Sequence, residues 1–351
     1  MKTIIADKIA SVAQNHSLKR ELRVSADIPC EEGVLVAVEI LNNKATYNKL
    51  ELTSGRMAQV KRGDVVVGAL GHRKALFGYS GHLPEKLVPG DEIQVLNLGG
   101  VLGICDSVNA NFGQPFNAKV LGTVLDFPIL GERTSFPARV GFEKLKDDVP
   151  LNTNGIPVVA LAGTCMDSGK TAAACAIISR LRHLGYTVDA FKATGVALRR
   201  DILAMEDAGA RDTLIFSDYG VVATTSKNGP AVTRTMLNEL CGNQPDVIVF
   251  ELGDGILGSY GVEAILKDAD IGAALSCLVL CANDPVGATG GVDILQSEFG
   301  LKTDLVTGPA TDNEVGCDII KTRLNVTAIN AITNAVELGD AVADILKLER
   351  S

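Results

Sequence analysis

Ile156-Pro157-Val158-Val159-Ala160-Leu161-Ala162 leads directly into Gly163-Thr164-Cys165-Met166-Asp167-Ser168-Gly169-Lys170-Thr171. An unbroken apolar run of this length reads as a strand buried on both faces, as in a parallel sheet. The glycines after it allow positive φ and let backbone N–H groups close around an anion. Lys170 and Thr171 then open a helical pattern that reaches about residue 184, with Gly185 at the C-cap position. Strand, glycine-rich loop and helix N-terminus together describe a phosphate-binding loop. Lys170 would neutralise β/γ phosphate oxygens, and the Thr171 hydroxyl would ligate Mg²⁺. The expected cofactor-binding set is Gly163, Thr164, Cys165, Met166, Asp167, Ser168, Gly169, Lys170, Thr171 and Ala172. The usual Walker spacing has four residues between the glycines, and Gly163 and Gly169 have five.

Outward from this loop, apolar strands are expected at 187–191, 247–251, 275–281, 304–306 and 326–329, separated by helical stretches, with a last helix over 331–348. That alternation predicts an α/β parallel-sheet P-loop NTPase domain over 156–351, with ligands at the carboxyl ends of its strands. Upstream the pattern differs. Short β-rich runs at 33–41, 49–52, 64–70, 74–79, 92–98 and 119–127 alternate with turns such as Arg62-Gly63-Asp64 and Pro89-Gly90-Asp91. Helical periodicity is confined to the first 17 residues. A smaller β-rich barrel or sandwich over 1–130 follows, joined by a connector, 131–155, rich in charge, Pro and Asn.

The 351 residues carry 33 Lys plus Arg against 42 Asp plus Glu, a formal net charge of −9. That balance disfavours nucleic acid and an anionic membrane as partners. Residues 1–150 hold 18 basic and 17 acidic side chains, so the acidic excess belongs to the second half. The apolar stretch that follows Met1 and Lys2 is broken by Asp7 and Lys8, so no signal-peptide core is expected. The apolar run 271–282 is too short to span a bilayer. Eight scattered cysteines and four histidines form neither a C-x-x-C pair nor a zinc pattern, so a reducing cytoplasm is expected.

The loop resembles that of the dethiobiotin synthetase and cobyrinic/cobyric acid synthase superfamily, which also has five residues between the glycines. Val247-Ile248-Val249-Phe250-Glu251-Leu252-Gly253-Asp254-Gly255 is similar to that superfamily's Walker-B-like strand. By that resemblance Glu251 helps hold Mg²⁺, directly or through water. Independently, an acid ending a buried strand beside a phosphate loop suits a Mg²⁺-nucleotide site, and Asp254 competes for the role. Lys192, following the second strand, resembles the lysine that faces the transferred phosphate in dethiobiotin synthetases. Phe216-Ser217-Asp218-Tyr219 looks like the Ser-Asp-Phe motif of a second P-loop family, some of whose members are assigned as D-glutamate N-acetyltransferases. That family has an α/β N-terminal domain where this chain reads as β.

The resemblances imply an ATP- and Mg²⁺-dependent ligase-type enzyme that phosphorylates a small acid for attack by a nucleophile. Lys170, Lys192 and Glu251 are its expected catalytic residues; Thr171, Glu251 and Asp218 would hold the metal. The absence of an Asn-Lys-x-Asp signature favours ATP over GTP. Two alternatives stay open: an acyltransferase whose loop takes a CoA phosphate, and a nucleotide-switch maturation factor that binds a protein partner. A homodimer is expected. Asp284-Pro285-Val286-Gly287-Ala288-Thr289-Gly290-Gly291 reads as a substrate or dimer loop or a plain connector. Residues 307–313 lie where a base would be read. Arg199 and Arg200 fit an anion clamp or a solvated helix start. Gly71-His72-Arg73-Lys74 and Gly78-Tyr79-Ser80-Gly81-His82 fit an anion site or a solvated hairpin.

Overall fold

The computed structural model describes residues 1–128, 134–141, 145 and 149–348. The expected connector 131–155 lies partly outside the described residues, at 131–133, 142–144 and 146–148. Contacts divide the chain into two compact units, 1–145 with Val196–Arg200 and Phe216–Ala223, and the remainder.

The first unit is built on short strands. Leu35–Ile40 pairs antiparallel with Val65–Leu70, which pairs parallel with Val101–Ser107. Val101–Ser107 pairs with Glu92–Val95, which pairs with Phe116–Asp126, which returns to Leu35–Ile40. The pairing thus closes a ring of five strands, which removes open edges and makes this unit a barrel rather than a sandwich. Val36, Val38, Val67, Ala69, Ile93, Leu102, Ala118 and Val120 are buried in it. The opening residues form no α-helix, only a 3-10 turn at Ser11–Ala13. Lys2–Ile5 pairs with Glu21–Ser25, and Lys8–Ile9 pairs with Val65–Leu70. Pairing with existing strands supplies the backbone partners that so short a helix would leave unmet at its ends. The run expected at 74–79 is instead a hairpin of Arg73–Lys74 and Ser80–His82 around a turn.

The second unit contains a seven-stranded parallel sheet. Its strands are β1 (Val158–Gly163), β2 (Val188–Lys192), β3 (Thr213–Ile215), β4 (Val247–Glu251), β5 (Leu275–Cys281), β6 (Leu305–Thr307) and β7 (Thr327–Ala328), in the spatial order 3-2-4-1-5-6-7. The helices are α1 (Lys170–His183), α2 (Arg200–Asp207), α3 (Gly229–Gly242), α4 (Val262–Leu266), α5 (Ala269–Ala274), α6 (Pro285–Phe299), α7 (Glu314–Leu324) and α8 (Ala335–Ile345). Every residue of β1, β2 and β4 is buried, as a sheet covered on both faces requires. One core joins Leu161 and Val249 to Ile177 and Leu181 of α1 and to Leu338 and Val342 of α8. Each such fully buried side chain contributes roughly 1.5–3 kcal/mol. Gly339 lets α8 close on α1, where a Cβ would stand 2.2 Å from Arg180 Cβ. The final helix starts later than 331 because Asn330 Oδ1 accepts from the amides of Ile332 and Thr333 and holds them in a turn.

Because the sheet is parallel, the carboxyl ends of β1, β2, β4, β5 and β6 share one edge. Register aligns Leu161 and Lys192 with Glu251, Gly163 with Cys281, and Cys281 with Thr307. No helix among the described residues is long and apolar enough to cross a membrane.

Candidate phosphate-binding site

The loop from Gly163 to Gly169 wraps the carboxyl end of β1. Two of its residues take positive φ: Asp167 (56°) and Gly169 (88°), the latter as the N-cap of α1. A left-handed turn immediately before a helix aims the first free amides of α1 and the loop amides inward, where they favour an anion. Lys170 is 5% exposed and folds back across the loop. Its Nζ donates to the Cys165 carbonyl at 2.8 Å and to Ser168 Oγ at 3.4 Å. Gly163 makes room for it, since a Cβ there would lie 2.7 Å from Lys170 Nζ. The lysine thus occupies the cradle with neutral oxygens, partners that an anionic phosphate would outcompete.

Thr171 Oγ1 donates to Glu251 Oε2 at 2.9 Å, which joins the first turn of α1 to the end of β4. Glu251 is 3% exposed. Burial pushes its carboxyl up, and the charge of Asp201 adds to the rise. Lys192, Lys170 and the Thr171 hydrogen bond oppose it without cancelling it. A hydroxyl and a carboxylate in contact are hard oxygen donors that fit Mg²⁺, an ion that binds through one or two protein groups plus phosphates and water.

Lys192 ends β2 directly beside Glu251 and is 7% exposed. Its stem passes Gly253, where a Cβ would be 3.0 Å from Lys192 Cε, and its amine pairs with Asp201 at the start of α2. Asp201 is the residue that sequence reading missed. Nine positions separate it from Lys192 with no motif between them, and its only signal is an acid in a helix's first turn.

The turn after β4 lies against the loop. Ile256 N donates to the Gly163 carbonyl at 2.8 Å. A Cβ on Gly255 would stand 2.8 Å from the Thr164 carbonyl oxygen and 2.9 Å from Cys165 Cα. Asp254, the competing acid, adopts φ 73° with its carboxylate over Gly258. Across the loop, Thr164 N donates to the Cys281 carbonyl at 2.9 Å and Asn283 Nδ2 donates to Cys165 Sγ at 2.9 Å.

Residues 284–291 are not a loop. The Asp284 side chain accepts from Gly287 N at 2.8 Å and caps α6, with Pro285 in its first turn. Gly291 is needed there because a Cβ would come 2.8 Å from Leu280 and 3.2 Å from the Thr164 methyl. Residues 307–313 pack on the other side of the loop. Gly308, φ 92°, leaves space that a Cβ would fill 2.3 Å from the Ser168 carbonyl oxygen. Asn330 bonds to Thr311 Oγ1 and Asp312 Oδ1.

The structure therefore brings Lys170, Thr171, Lys192 and Glu251 together in the second unit. Asp218 groups with the first unit, where it accepts from Gln14 Nε2 at 2.8 Å. Arg199 also groups there, its amide on Glu51 and its Nη1 on the Thr53 carbonyl.

No family model and no curated protein matches the chain. Among solved structures it is similar to a DUF1611 family protein from Anabaena variabilis, with 15% identity and a TM-score of 0.41. That match covers 60% of this chain and 64% of the other, less than two thirds of its length. Chloroplast FtsY from Physcomitrella patens gives 13% identity and 0.40, over 59% and 68% of the two chains. The hydrogenase maturation factor HypB from Archaeoglobus fulgidus gives 13% and 0.39, over 55% and 91%. By its own geometry the second unit is an α/β domain on a seven-stranded parallel sheet, with a glycine-capped loop of phosphate-binding type between its first strand and first helix.

Proposed function

We propose that the chain is an ATP- and Mg²⁺-dependent enzyme of ligase type, which phosphorylates an oxygen of a small acid for attack by a nucleophile. The observation that carries the reading is Lys192, a second buried lysine at the strand end beside Glu251, within the same cluster as Lys170 and Thr171. A nucleotide-holding loop requires Lys170 alone; a second cation suits an oxygen that gains negative charge during transfer. In this reading the loop amides and Lys170 bind the triphosphate, and Thr171 with Glu251 holds the metal. Bound Mg²⁺ supplies charge neutralisation at the phosphate oxygens. Lys192 leaves Asp201 to meet the oxygen being phosphorylated, and Asp201 is a positioning residue that holds the amine at the strand end before substrate arrives. The domain limits 1–130, 131–155 and 156–351 belong to the same proposal.

The test is ADP release with ATP or GTP as donor, while small carboxylic acids and amines are supplied to the wild type, Lys170→Ala and Lys192→Ala. ADP should form from ATP only with the acid present and should vanish in Lys170→Ala. Lys192→Ala should bind nucleotide yet lose on the order of 10²–10³-fold in kcat, as for removal of one oxyanion donor. No ADP above the Lys170→Ala background across a metabolite pool sinks the ligase reading. Nucleotide-dependent capture of a protein without turnover would favour the switch, and acyl-CoA consumption without ATP the acyltransferase.

A further inference from the structure

Residues 196–200 and 216–223 group with the first unit, although they belong to the connections from β2 to α2 and from β3 to α3. The first connection runs from Lys192 to Asp201, the two side chains that pair at the phosphate site. Its middle is held by buried groups of the first unit. Asn97, 3% exposed, donates from Nδ2 to the Ala197 carbonyl at 2.9 Å, while its Oδ1 accepts from Val101 N at 2.8 Å. The Ala197 carbonyl sits so close only because residue 99 is Gly, where a Cβ would stand 2.0 Å from its oxygen. Glu51, wholly buried, accepts from Arg199 N on Oε2 at 2.7 Å. Arg199 Nη1 donates to the Thr53 carbonyl at 3.1 Å and secures the same segment. The second connection is tied to the first, Ala197 N donating to the Val222 carbonyl at 2.8 Å.

Arg199 immediately precedes α2, an eight-residue helix with Asp201 in its first turn. A helix this short is marginal by itself and takes its position from tertiary contacts. Fixing the amide before it therefore fixes where its first turn begins. A wholly buried carboxylate is costly to keep, and among the described residues Glu51 Oε1 has no hydrogen-bond partner. The carboxylate instead serves the Arg199 amide, through a charge-assisted bond. We propose that Glu51 and Asn97 are positioning residues for Lys192. By fixing Arg199 and Ala197 they hold the chain from Lys192 to Asp201 in the course that keeps that pair closed. The first unit thereby sets how readily the amine is released. What the released amine does rests on the phosphoryl-transfer reading above; the control of its release does not.

Acetylation of the full chain without nucleotide, followed by mass spectrometry, reads the Lys192 amine directly. Asp201→Asn sets the scale: loss of the charged partner should raise Lys192 labelling on the order of tenfold, as for one charge-assisted hydrogen bond. Glu51→Leu removes the acceptor for Arg199 N, and Asn97→Asp turns the donor to Ala197 into an acceptor while keeping the one for Val101. Each should raise Lys192 labelling by roughly threefold or more, up to that scale. Glu51→Gln keeps an oxygen for the Arg199 amide and should label like the wild type. Lys170, buried in the phosphate loop, should label alike in every chain. If Glu51→Leu does not fold, Asn97→Asp decides by itself. Wild-type labelling of Lys192 in folded Glu51→Leu, Asn97→Asp or Asp201→Asn overturns the proposal. So do equal gains at Lys170 and Lys192, or a gain in Glu51→Gln as large as in Glu51→Leu. The expected labelling in a chain that never forms ADP would support the positioning and remove the ligase reading.

Discussion

Replacing Glu251 by Gln separates the cost of a buried carboxylate from its use. Glu251 is 3% exposed, and burial and Asp201 together raise its pKa. A carboxyl whose folded pKa lies above its unfolded value makes the folded chain less stable as pH climbs through that value. Gln is neutral throughout, nearly equal in volume, and keeps an oxygen to accept from Thr171 Oγ1. The ligand-free Glu251→Gln chain should therefore melt above the wild type at neutral and higher pH, and the gap should close as pH falls. A gain of about 0.5–2 kcal/mol is the usual size for relief of one such defect. At roughly 2–4 °C per kcal/mol for a unit of this size, the melting shift is about 1–8 °C. With Mg²⁺ and nucleotide the order reverses. Glu251 orients the hydroxyl expected to ligate the metal, and loss of such a partner costs about 10–100-fold in metal affinity. Calorimetric melts across pH, paired with Mg²⁺ titrations of a bound fluorescent nucleotide, measure both effects. A variant that melts lower than the wild type at every pH without ligand, or keeps its Mg²⁺ dependence, refutes the reasoning.

Two further outcomes follow from geometry. Gly255→Ala drives a methyl against backbone atoms of Thr164 and Cys165 and should cost about 1–3 kcal/mol with weaker ATP binding, read by melting and titration. Gly242→Ala, with nothing within 4 Å of its Cβ, is the control and should be neutral or stabilising by up to about 1 kcal/mol. Burial pushes the Cys241 thiol up to about 11 and those of Cys277 and Cys281 to about 12, so little thiolate exists at neutral pH. Iodoacetamide and mass spectrometry should find these three unlabelled in the native chain and labelled in denaturant; native labelling would show that the core of the second unit opens.

The parallel sheet was legible because its strands are buried on both faces and so read as unbroken apolar runs, as 156–162 and 247–250 do. Gly163, Gly169, Lys170 and Thr171 were legible because each meets a backbone or charge requirement that few other residues meet. The barrel's closure was not. Glu92–Val95 has two partners, and pairing between distant strands leaves no local trace. Residues 284–291 misled because they open α6, where Gly291 serves close packing against Leu280 and Thr164 rather than a loop. The partnership of Lys192 with Asp201 was hidden for the same reason as the ring closure: it depends on how β2 and α2 are folded back, not on spacing.

A crystal structure of the chain with Mg²⁺ and a non-hydrolysable ATP analogue tests the phosphate-site account most directly. The account predicts the triphosphate on the amides of residues 163–171, Mg²⁺ on Thr171, and Lys170 and Lys192 both facing the γ-phosphate, with Lys192 withdrawn from Asp201. A triphosphate bound elsewhere, or a Lys192 that stays on Asp201 and away from the γ-phosphate, would contradict it.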